Sequence, residues 1–417
     1  MLKNIKLILL RIYYFLLNII QRKNHYLDIL KAICYTTVIS FFRGGMNNGM
    51  KVLILSSSTG AGHDSCANAV KEIFDINSEI CEVEEVLKYI SKGVANFLTK
   101  GHTAMYRHFP TVFKIGYEFL DNHSGAYKKG SLTNKFLSIG SKKLGEHIKS
   151  EGYDTVICTH PFSTVMLAAA IDRCDLKVKT AFVATDYTCA PTVDAENLDV
   201  YFVPDNAIID AFVKYGIKKE KIVTSGIPVR QMFYNCIPKN EAKTLTGIDK
   251  NNLHLLVMCG SMGCGPIEKL VNTIAARLPE NAEITVVCGT NERLKKSLDK
   301  KYPPGGKVHI KGFVKDMSAL LDSADLYLTK PGGLSVSEAR QKNLPMIFVN
   351  AVAGCEEYNR RHFVDMKTAL CGDDVNQLSE SCLELLNAPE KIEKMRAIFV
   401  NEEKTNSSER IREHLID

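Results

Sequence analysis

The chain has 417 residues, of which 45% are hydrophobic and 24% are charged, so it is long enough for two globular domains and an additional segment. The formal net charge is +6, and residues 1–45 supply all of it, which argues against a nucleic-acid-binding body. Thirteen cysteines without CxxC pairs predict reduced thiols, most of them buried small hydrophobes, rather than disulfides or a zinc site.

Residues 1–45 combine basic side chains with two apolar runs, at residues 7–20 and 32–42. Neither run is a clean span of about 20 apolar residues. The pattern predicts a helix that lies on an anionic membrane surface as an anchor. A secretory signal is disfavoured because no small-residue cleavage site follows the first run. The alternative is a dispensable extension, with the folded protein beginning near Met46 or Met50.

From residue 51 onward, strands and helices alternate, which is typical of parallel sheets covered on both faces. The first series of predicted strands covers residues 51–56, 80–86, 155–159, 180–184, 200–203 and 222–224. A second series covers residues 253–258, 283–288, 308–311, 326–329 and 345–349. The polar, loop-like stretch 237–252 separates the two series. Two α/β domains joined by a linker predict a ligand cleft between the carboxyl ends of their sheets.

Three predicted strands are followed by glycine turns that lead into helices. The first turn, at residues 56–63, ends in His63, which would face the cleft and could accept a proton, or could merely cap the helix. The second, at residues 259–265, lacks the dinucleotide-binding and P-loop spacings, so a nicotinamide cofactor is disfavoured. The third, at residues 329–335, precedes Glu338. Glycine turns can be plain connections, but the second and third turns together suit a diphosphate bound by backbone amides rather than by magnesium.

Seven motifs in chain order carry a resemblance to a known family. They are Gly60-Ala61-Gly62-His63, His160-Pro161-Phe162, Thr185-Asp186-Tyr187, Gly226-Ile227-Pro228-Val229-Arg230, the loop 259–265, Lys330-Pro331-Gly332-Gly333 and Gly354-Cys355-Glu356. This ordered set resembles the monogalactosyl- and processive glucosyl-diacylglycerol synthases, which are similar to the peptidoglycan N-acetylglucosaminyltransferase. The resemblance covers roughly residues 51–395.

The resemblance implies the α/β GT-B fold, in which two Rossmann-like parallel-sheet domains face a central cleft. Residues 46–236 would form the acceptor (lipid) domain, 237–252 the linker, 253–390 the UDP-sugar donor domain and 391–417 a C-terminal helical tail. The implied reaction is inverting transfer of a hexose from UDP-glucose or UDP-galactose to 1,2-diacylglycerol. It would occur at the cytoplasmic face of the membrane, with no metal or other cofactor.

The resemblance also assigns roles to residues. His63 would be the catalytic base, and Asp186 would orient His63 or the acceptor, or simply cap a turn. The donor-side residues would be Arg230, Gly260, Ser261, Met262, Gly263, Phe313, Val314, Lys330, Pro331, Gly332, Gly333, Leu334, Ser335, Glu338, Cys355, Glu356 and Asn359. The acceptor-side residues would be Gly60, Gly62, His160, Pro161 and Tyr187.

Within the donor set, residues 312–314 would lie against the uracil, and Glu338 would bind the ribose hydroxyls. Glu356 and Asn359 would contact the sugar, and Arg230 would approach the diphosphate. Phe313 could instead be ordinary core, and Glu338 a solvated helix carboxylate.

Two positions depart from the family pattern. Cys355 stands where the family often has glutamine, which affects the choice of hexose. Ala61 replaces a glycine in the His63 turn, which matters only if that position needs a positive φ.

Residues 97–122 are rich in aromatic and basic side chains, which predicts either an interfacial surface that admits the lipid or ordinary core. Two alternatives to the lipid glycosyltransferase stay open at this point. One is another UDP-sugar enzyme of the same fold, either an N-acetylglucosaminyltransferase acting on a polyprenyl-linked acceptor or a sugar epimerase. The other is a non-catalytic, membrane-docked nucleotide-sugar binder.

Overall fold

The computed structural model describes residues 50–57, 61–90, 93, 130–189, 197–260, 263, 265–349, 354–402 and 404–416. The predicted anchor at residues 1–45 and the aromatic, basic stretch at 97–122 lie outside these residues. None of the helices in the described ranges is long and apolar enough to span a membrane.

The N-terminal half is built on a six-stranded parallel sheet in the order β2-β1-β3-β4-β5-β6. The strands are β1 (Lys51–Ser56), β2 (Ile80–Glu85), β3 (Thr155–Cys158), β4 (Lys179–Val183), β5 (Val200–Val203) and β6 (Ile222–Thr224). The helices are α1 (Ala61–Ile76), α2 (Leu132–Leu137), α3 (Ser141–Glu151), α4 (Pro161–Cys174) and α5 (Ile209–Lys214).

The first strand shows why the sheet is covered on both faces. Its sequence, KVLILS, is a continuous apolar run rather than an alternating one. Successive side chains point to opposite faces, so Leu53 and Leu55 join one hydrophobic cluster while Val52 and Ile54 join another. All four are fully buried, as expected for a central parallel strand between two helical layers.

The C-terminal half repeats this architecture with the strand order β12-β11-β10-β7-β8-β9, again all parallel. The strands are β7 (Leu253–Met258), β8 (Ala282–Val287), β9 (Val308–Lys311), β10 (Leu326–Thr329), β11 (Met346–Phe348) and β12 (Ala369–Cys371). The helices are α6 (Lys239–Thr246), α7 (Ile267–Ala275), α8 (Glu292–Lys301), α9 (Met317–Ser323), α10 (Gly333–Gln341), α11 (Cys355–Asp365), α12 (Val375–Asn387), α13 (Pro389–Val400) and α14 (Ser407–Ile416).

Each sheet reverses its strand order at one place. In the first sheet the reversal lies between β1 and β3, and in the second it lies between β7 and β10. At such a switch point the two following loops diverge in opposite directions and leave a crevice for a ligand. The three glycine turns follow β1, β7 and β10, so all of them lie at switch points.

The stretch 237–252, expected to be loop-like, contains helix α6. Lys239 Nζ and Lys243 Nζ of this helix lie 2.5 and 3.0 Å from the carboxylate of the buried Asp325. These ion pairs attach α6 to the amino edge of the second sheet. Strand β12 was also absent from the predicted set.

The C-terminal helices pack against both halves. Ile392 of α13 is buried in the core of the second sheet, whereas Ile411 and Leu415 of α14 are buried in the core of the first. Arg412 donates two hydrogen bonds, of 2.7 and 2.6 Å, to the carboxylate of Glu79. The chain therefore ends by returning to the half in which its described residues begin.

The eleven cysteines in the described ranges are free thiols, and seven of them are buried. Burial raises the pKa of the Cys288 thiol to about 11. The prediction that most cysteines act as small buried hydrophobes is confirmed for these residues.

Candidate active site

A cavity of about 380 Å³ opens where the carboxyl ends of β7, β8 and β10 face the start of α1. Its walls come from both halves of the chain. The lining residues are Gly62, Ser65, Met258, Cys259, Gly260, Val287, Gly289, Phe313, Val314, Met317, Lys330, Gly332, Gly333, Leu334, Ser335, Glu338 and Glu356. Ten of the seventeen predicted donor-side residues are in this set, so the second and third glycine turns do converge on one site.

The turn after β7 contributes one predicted glycine to the cavity and one to packing. Gly260 lies on the wall, whereas Ser261 and Met262 lie outside the described residues. Gly263 has a φ of +53°, and a Cβ at this position would lie 2.5 Å from the carbonyl oxygen of Cys288. Glycine at 263 is therefore required for close packing against the end of β8 rather than for contact with a ligand in this cavity.

The turn after β10 places the first turn of α10 on the cavity wall, with Gly332 as its N-cap. Backbone amides of a first helical turn have no partner within the helix, and they carry the positive end of the helix dipole. Lys330 lines the same wall and adds a positive charge. This combination suits a bound diphosphate.

Glu338 lies on the cavity wall one turn further along α10. Burial raises the pKa of its carboxyl to about 8, and the positive charge of Arg230 partly offsets that increase. Glu338 is therefore not an ordinary solvated helix carboxylate.

Phe313 is 66% exposed although it is a large apolar residue, and it forms part of the cavity wall together with Val314. The alternative that Phe313 is core is wrong. An exposed aromatic ring on a cavity wall can stack against a flat ring of a ligand.

Arg230 lies at the connection between the two halves but does not line the cavity. Its Nε donates to Glu72 at 2.8 Å, and the amide of Gln231 donates to the same carboxylate at 2.9 Å. The side chain is thus attached to α1, and only its charge reaches Glu338.

His63 lies in the first turn of α1, between the lining residues Gly62 and Ser65. Its Nδ1 is 2.8 Å from the backbone carbonyl oxygen of Thr159. Because a carbonyl oxygen can only accept, Nδ1 must carry the ring proton. Nε2 of the neutral ring is then the nitrogen with the lone pair, as a general base requires.

His160 caps helix α4. Its Nδ1 accepts the amide hydrogen of Phe162 at 3.0 Å, and Pro161 occupies the first helical position. The His160 ring packs edge-on against the His63 ring, with the centroids 4.4 Å apart. His160 therefore supports the position of His63. Gly60, another predicted acceptor-side residue, lies outside the described residues.

Asp186 follows β4 in the N-terminal half, but its carboxylate is hydrogen-bonded to the C-terminal half. It accepts from the Asn359 amide at 2.7 Å, from the backbone N–H of Gly333 and from the thiol of Cys355. Burial raises its pKa to about 6, the Asn359 bond lowers it, and the nearby Glu356 raises it again. Of the three predicted roles for Asp186, these contacts fit a cap, here on the first turn of α10.

Asn359 and Tyr187 complete a clasp between the halves. The Asn359 amide also donates to the carbonyl oxygen of Pro331 at 2.9 Å and accepts the Tyr187 N–H at 2.7 Å. The buried Tyr187 ring stacks on His362, with the centroids 4.4 Å apart. The polar groups of Asn359 are all engaged within the protein, and Tyr187 packs into the interface between the halves. Neither residue lines the cavity.

Gly333 shows how closely the halves approach in this clasp. A Cβ at Gly333 would lie 1.9 Å from the carbonyl oxygen of Thr185, so no side chain fits there. The second glycine of the Lys-Pro-Gly-Gly motif is thus required by packing as well as by its place on the cavity wall.

Some wall residues were missing from the predicted set, including Ser65, Val287, Gly289 and Met317. Val287 and Gly289 lie at the carboxyl end of β8, which pairs with β7. Because ligands bind at the carboxyl ends of parallel strands, this position was a usable signal for both.

Comparison with known proteins agrees with this geometry. Residues 63–229 match the model of the monogalactosyldiacylglycerol (MGDG) synthase family, and residues 254–413 match the glycosyltransferase family 28 C-terminal domain. The chain is a glycosyltransferase. Over 383 residues this glycosyltransferase is 27% identical to a processive diacylglycerol beta-glucosyltransferase of Bacillus pumilus, which covers 89% of this chain and 96% of the relative. The corresponding protein of Bacillus subtilis is 26% identical over 378 residues, with the same coverage.

Solved structures show the same fold. MurG of Acinetobacter baumannii superposes with a TM-score of 0.58 at 13% identity, over 88% of this glycosyltransferase and 99% of MurG. MnaA of Staphylococcus aureus, solved with UDP, gives a TM-score of 0.58 at 14% identity, over 88% and 96% of the two chains. The predicted family resemblance and the GT-B fold are confirmed.

Proposed function

We propose that this glycosyltransferase transfers a hexose from UDP-glucose or UDP-galactose to the free hydroxyl of 1,2-diacylglycerol. The observation that carries the proposal is the cavity in which the turns after β7 and β10 face the start of α1, where His63 lies. The relatives named diacylglycerol beta-glucosyltransferases, which match most of the chain, support the acceptor.

The donor would bind along the wall formed by the C-terminal half. The uracil would stack on Phe313 beside Val314, and the ribose hydroxyls would donate to Glu338. The diphosphate would lie at the start of α10, near Lys330 and the first-turn amides other than that of Gly333, which donates to Asp186. Glu356, in the first turn of α11 on the same wall, would contact the sugar.

The reaction is a single displacement. The acceptor hydroxyl oxygen forms a bond to the anomeric carbon while the bond from that carbon to the diphosphate oxygen breaks. The hydroxyl proton passes to Nε2 of His63, and UDP leaves with the bonding electron pair. Attack from the face opposite the leaving group inverts the anomeric configuration. Preorganised amides and Lys330 would stabilise the charge that develops on the leaving diphosphate.

We expect the reaction to need no metal ion, since amides and a lysine side chain supply the positive potential at the diphosphate. We also place it at the cytoplasmic face of the membrane, with the protein bound peripherally through the basic residues 1–45. Activity that survives excess EDTA would support the first expectation. Removal of residues 1–45 should move the protein from membranes to the supernatant at low salt. Unchanged partitioning would contradict membrane binding through residues 1–45.

The decisive experiment supplies the enzyme with liposomes that contain diacylglycerol and with one labelled donor at a time, UDP-glucose, UDP-galactose or UDP-N-acetylglucosamine. Chromatography of the lipids should show labelled hexose on diacylglycerol and no label on an added polyprenyl phosphate acceptor. His63→Ala should abolish the product while the affinity for UDP stays within a few-fold. His147→Ala, a histidine of α3 in the same half, is the matched control and should keep full activity. Turnover in the His63→Ala variant would eliminate His63 as the base.

A further inference from the structure

We propose that Thr185 is a positioning residue that aligns the His63 imidazole and makes that alignment depend on the contact between the two halves. The inference rests on the proposed function, in which His63 is the base. It assigns a role to a side chain that does not line the cavity.

Nδ1 of His63 lies near two oxygen atoms. Thr159 and Thr185 lie just beyond the carboxyl ends of the neighbouring strands β3 and β4. Nδ1 is 2.8 Å from the carbonyl oxygen of Thr159 and 3.1 Å from Oγ1 of Thr185. Since the Nδ1 proton must point towards the carbonyl, the hydroxyl oxygen of Thr185 is a second acceptor for the same proton.

The His63 ring gains a positive charge during the proposed reaction. When Nε2 takes the acceptor proton, the ring becomes an imidazolium, and its Nδ1–H becomes a stronger donor. Hydrogen bonds to charged groups are about twice as strong as neutral ones. Two oxygens at Nδ1 therefore stabilise the protonated ring more than the neutral ring, and they fix the orientation of the ring. The two oxygens that contact Nδ1 of His63 are uncharged.

The loop that carries Thr185 is held by contacts with the C-terminal half. Its carbonyl oxygen lies so close to Gly333 that a Cβ there would be only 1.9 Å away. The next residue, Asp186, accepts from Asn359 and from the Gly333 amide, and the Tyr187 amide donates to Asn359. The backbone that follows the Thr185 side chain is thus in contact with the half that carries the donor wall, whereas the Ala184 amide before it donates to Phe202 of β5. A change in the contact between the halves would therefore be transmitted to the loop that carries Thr185 and to its hydrogen bond with His63.

The test compares Thr185→Val, which removes only the hydroxyl, with Thr185→Ser, which keeps it. Loss of one hydrogen bond to a charged group corresponds to a decrease of roughly ten- to a hundredfold in kcat. We expect this loss in Thr185→Val, with KM for the UDP-hexose changed less than about twofold. Thr185→Ser should recover most of kcat.

Thr180→Val is the matched control because Thr180 lies at the amino end of the same strand. Its Oγ1 donates to Asp199 at 2.7 Å and accepts from the Asp199 amide at 3.0 Å. This variant should lose stability but keep kcat. The proposal is overturned if Thr185→Val keeps kcat within twofold while His63→Ala is inactive, if Thr185→Ser is as impaired as Thr185→Val, or if Thr180→Val shows the same loss.

A second measurement is independent of activity. In protein labelled with ¹⁵N-histidine, signals assigned by comparison with His63→Ala should show His63 protonated at Nδ1. Thr185→Val should shift that Nδ1 signal, whereas Thr180→Val should not. An Nε2-protonated ring in the unmodified protein, or an unchanged signal in Thr185→Val, would overturn the inference even if no glycolipid were formed. Absence of glycolipid from the unmodified enzyme would instead refute the proposed function.

Discussion

The substitution Asn359→Ala tests whether the clasp holds the two halves together. The Asn359 side chain is fully buried, and its amide group makes three hydrogen bonds. Two of them, to Asp186 and from the Tyr187 amide, cross between the halves, and the third, to Pro331, stays within the C-terminal half. A buried side chain with no unused polar group is expected to contribute to stability rather than to binding.

The magnitude follows from the groups that alanine would leave behind. The Tyr187 N–H, the Pro331 carbonyl and the Asp186 carboxylate would each lose a partner. A buried polar group left without its partner costs about 1–3 kcal/mol. Water that enters the vacated space recovers part of this, so the free energy of unfolding should fall by about 3–5 kcal/mol.

The measurement is urea unfolding followed by circular dichroism and by tyrosine fluorescence, since the chain contains no tryptophan. Asn387→Ala is the matched control, because the Asn387 amide donates only to the Leu383 carbonyl within helix α12. The control should lose less than about 1 kcal/mol. If Asn359→Ala lowered the free energy of unfolding no more than Asn387→Ala, Asn359 would not hold the two halves together. If it reduced UDP affinity without reducing stability, Asn359 would be a ligand contact.

Three further predictions concern the electrostatics and stacking of the site. The Glu338 pKa of about 8 means that ribose hydroxyls, which favour the ionised form, should expel a proton when UDP binds at pH 7; calorimetry in two buffers should detect it, and Glu338→Gln should abolish it. The Asp186 pKa of about 6 lies above the ordinary aspartate value of 3.8, so the folded state binds this proton more tightly and loses stability as the pH rises from about 4 to 6. Asp186→Asn removes that loss, and its unfolding free energy relative to the unmodified protein should improve by about 2 kcal/mol between pH 4.5 and 7; a constant difference would contradict the assignment. Phe313→Ala should weaken UDP binding by about 1–3 kcal/mol and leave the unfolding free energy within about 0.5 kcal/mol, whereas a large loss of stability would make Phe313 a core residue after all.

The fold could be predicted from the sequence because central parallel strands are continuous apolar runs. The elements that were missed lack that signal for physical reasons. Strand β12 has three residues, and Leu370 at its centre is 37% exposed, as befits the edge of a sheet. Helix α6 is held by the ion pairs of Lys239 and Lys243 with Asp325, so its sequence reads as polar and loop-like. Charge pairs between residues 86 and 82 positions apart in the sequence leave no local periodicity.

The site was predictable to the extent that its residues follow strands. Turns after β7 and β10 meet because these strands pair at a switch point, and topology of this kind follows from motif order. The order of the motifs does not predict the direction in which a side chain of a motif points. Asp186, Tyr187 and Asn359 belong to the same ordered set as the wall residues, yet they bind one another across 172 or 173 positions of sequence. Their roles depend on how the halves meet, which no spacing encodes.

The glycine pair at 332 and 333 shows why a motif can be identified correctly and still be interpreted incompletely. Both glycines line the cavity, and proximity to a phosphate explains either one equally well. Yet a Cβ at Gly332 would meet no atom within 4 Å, whereas a Cβ at Gly333 would collide with the Thr185 carbonyl oxygen. Packing within the protein therefore requires glycine only at position 333. The constraint comes from the loop that carries Thr185, whose hydroxyl contacts His63. The Lys-Pro-Gly-Gly turn therefore has two roles. One side faces the proposed donor site, and the other side packs against the loop of Thr185, the residue proposed to orient the base.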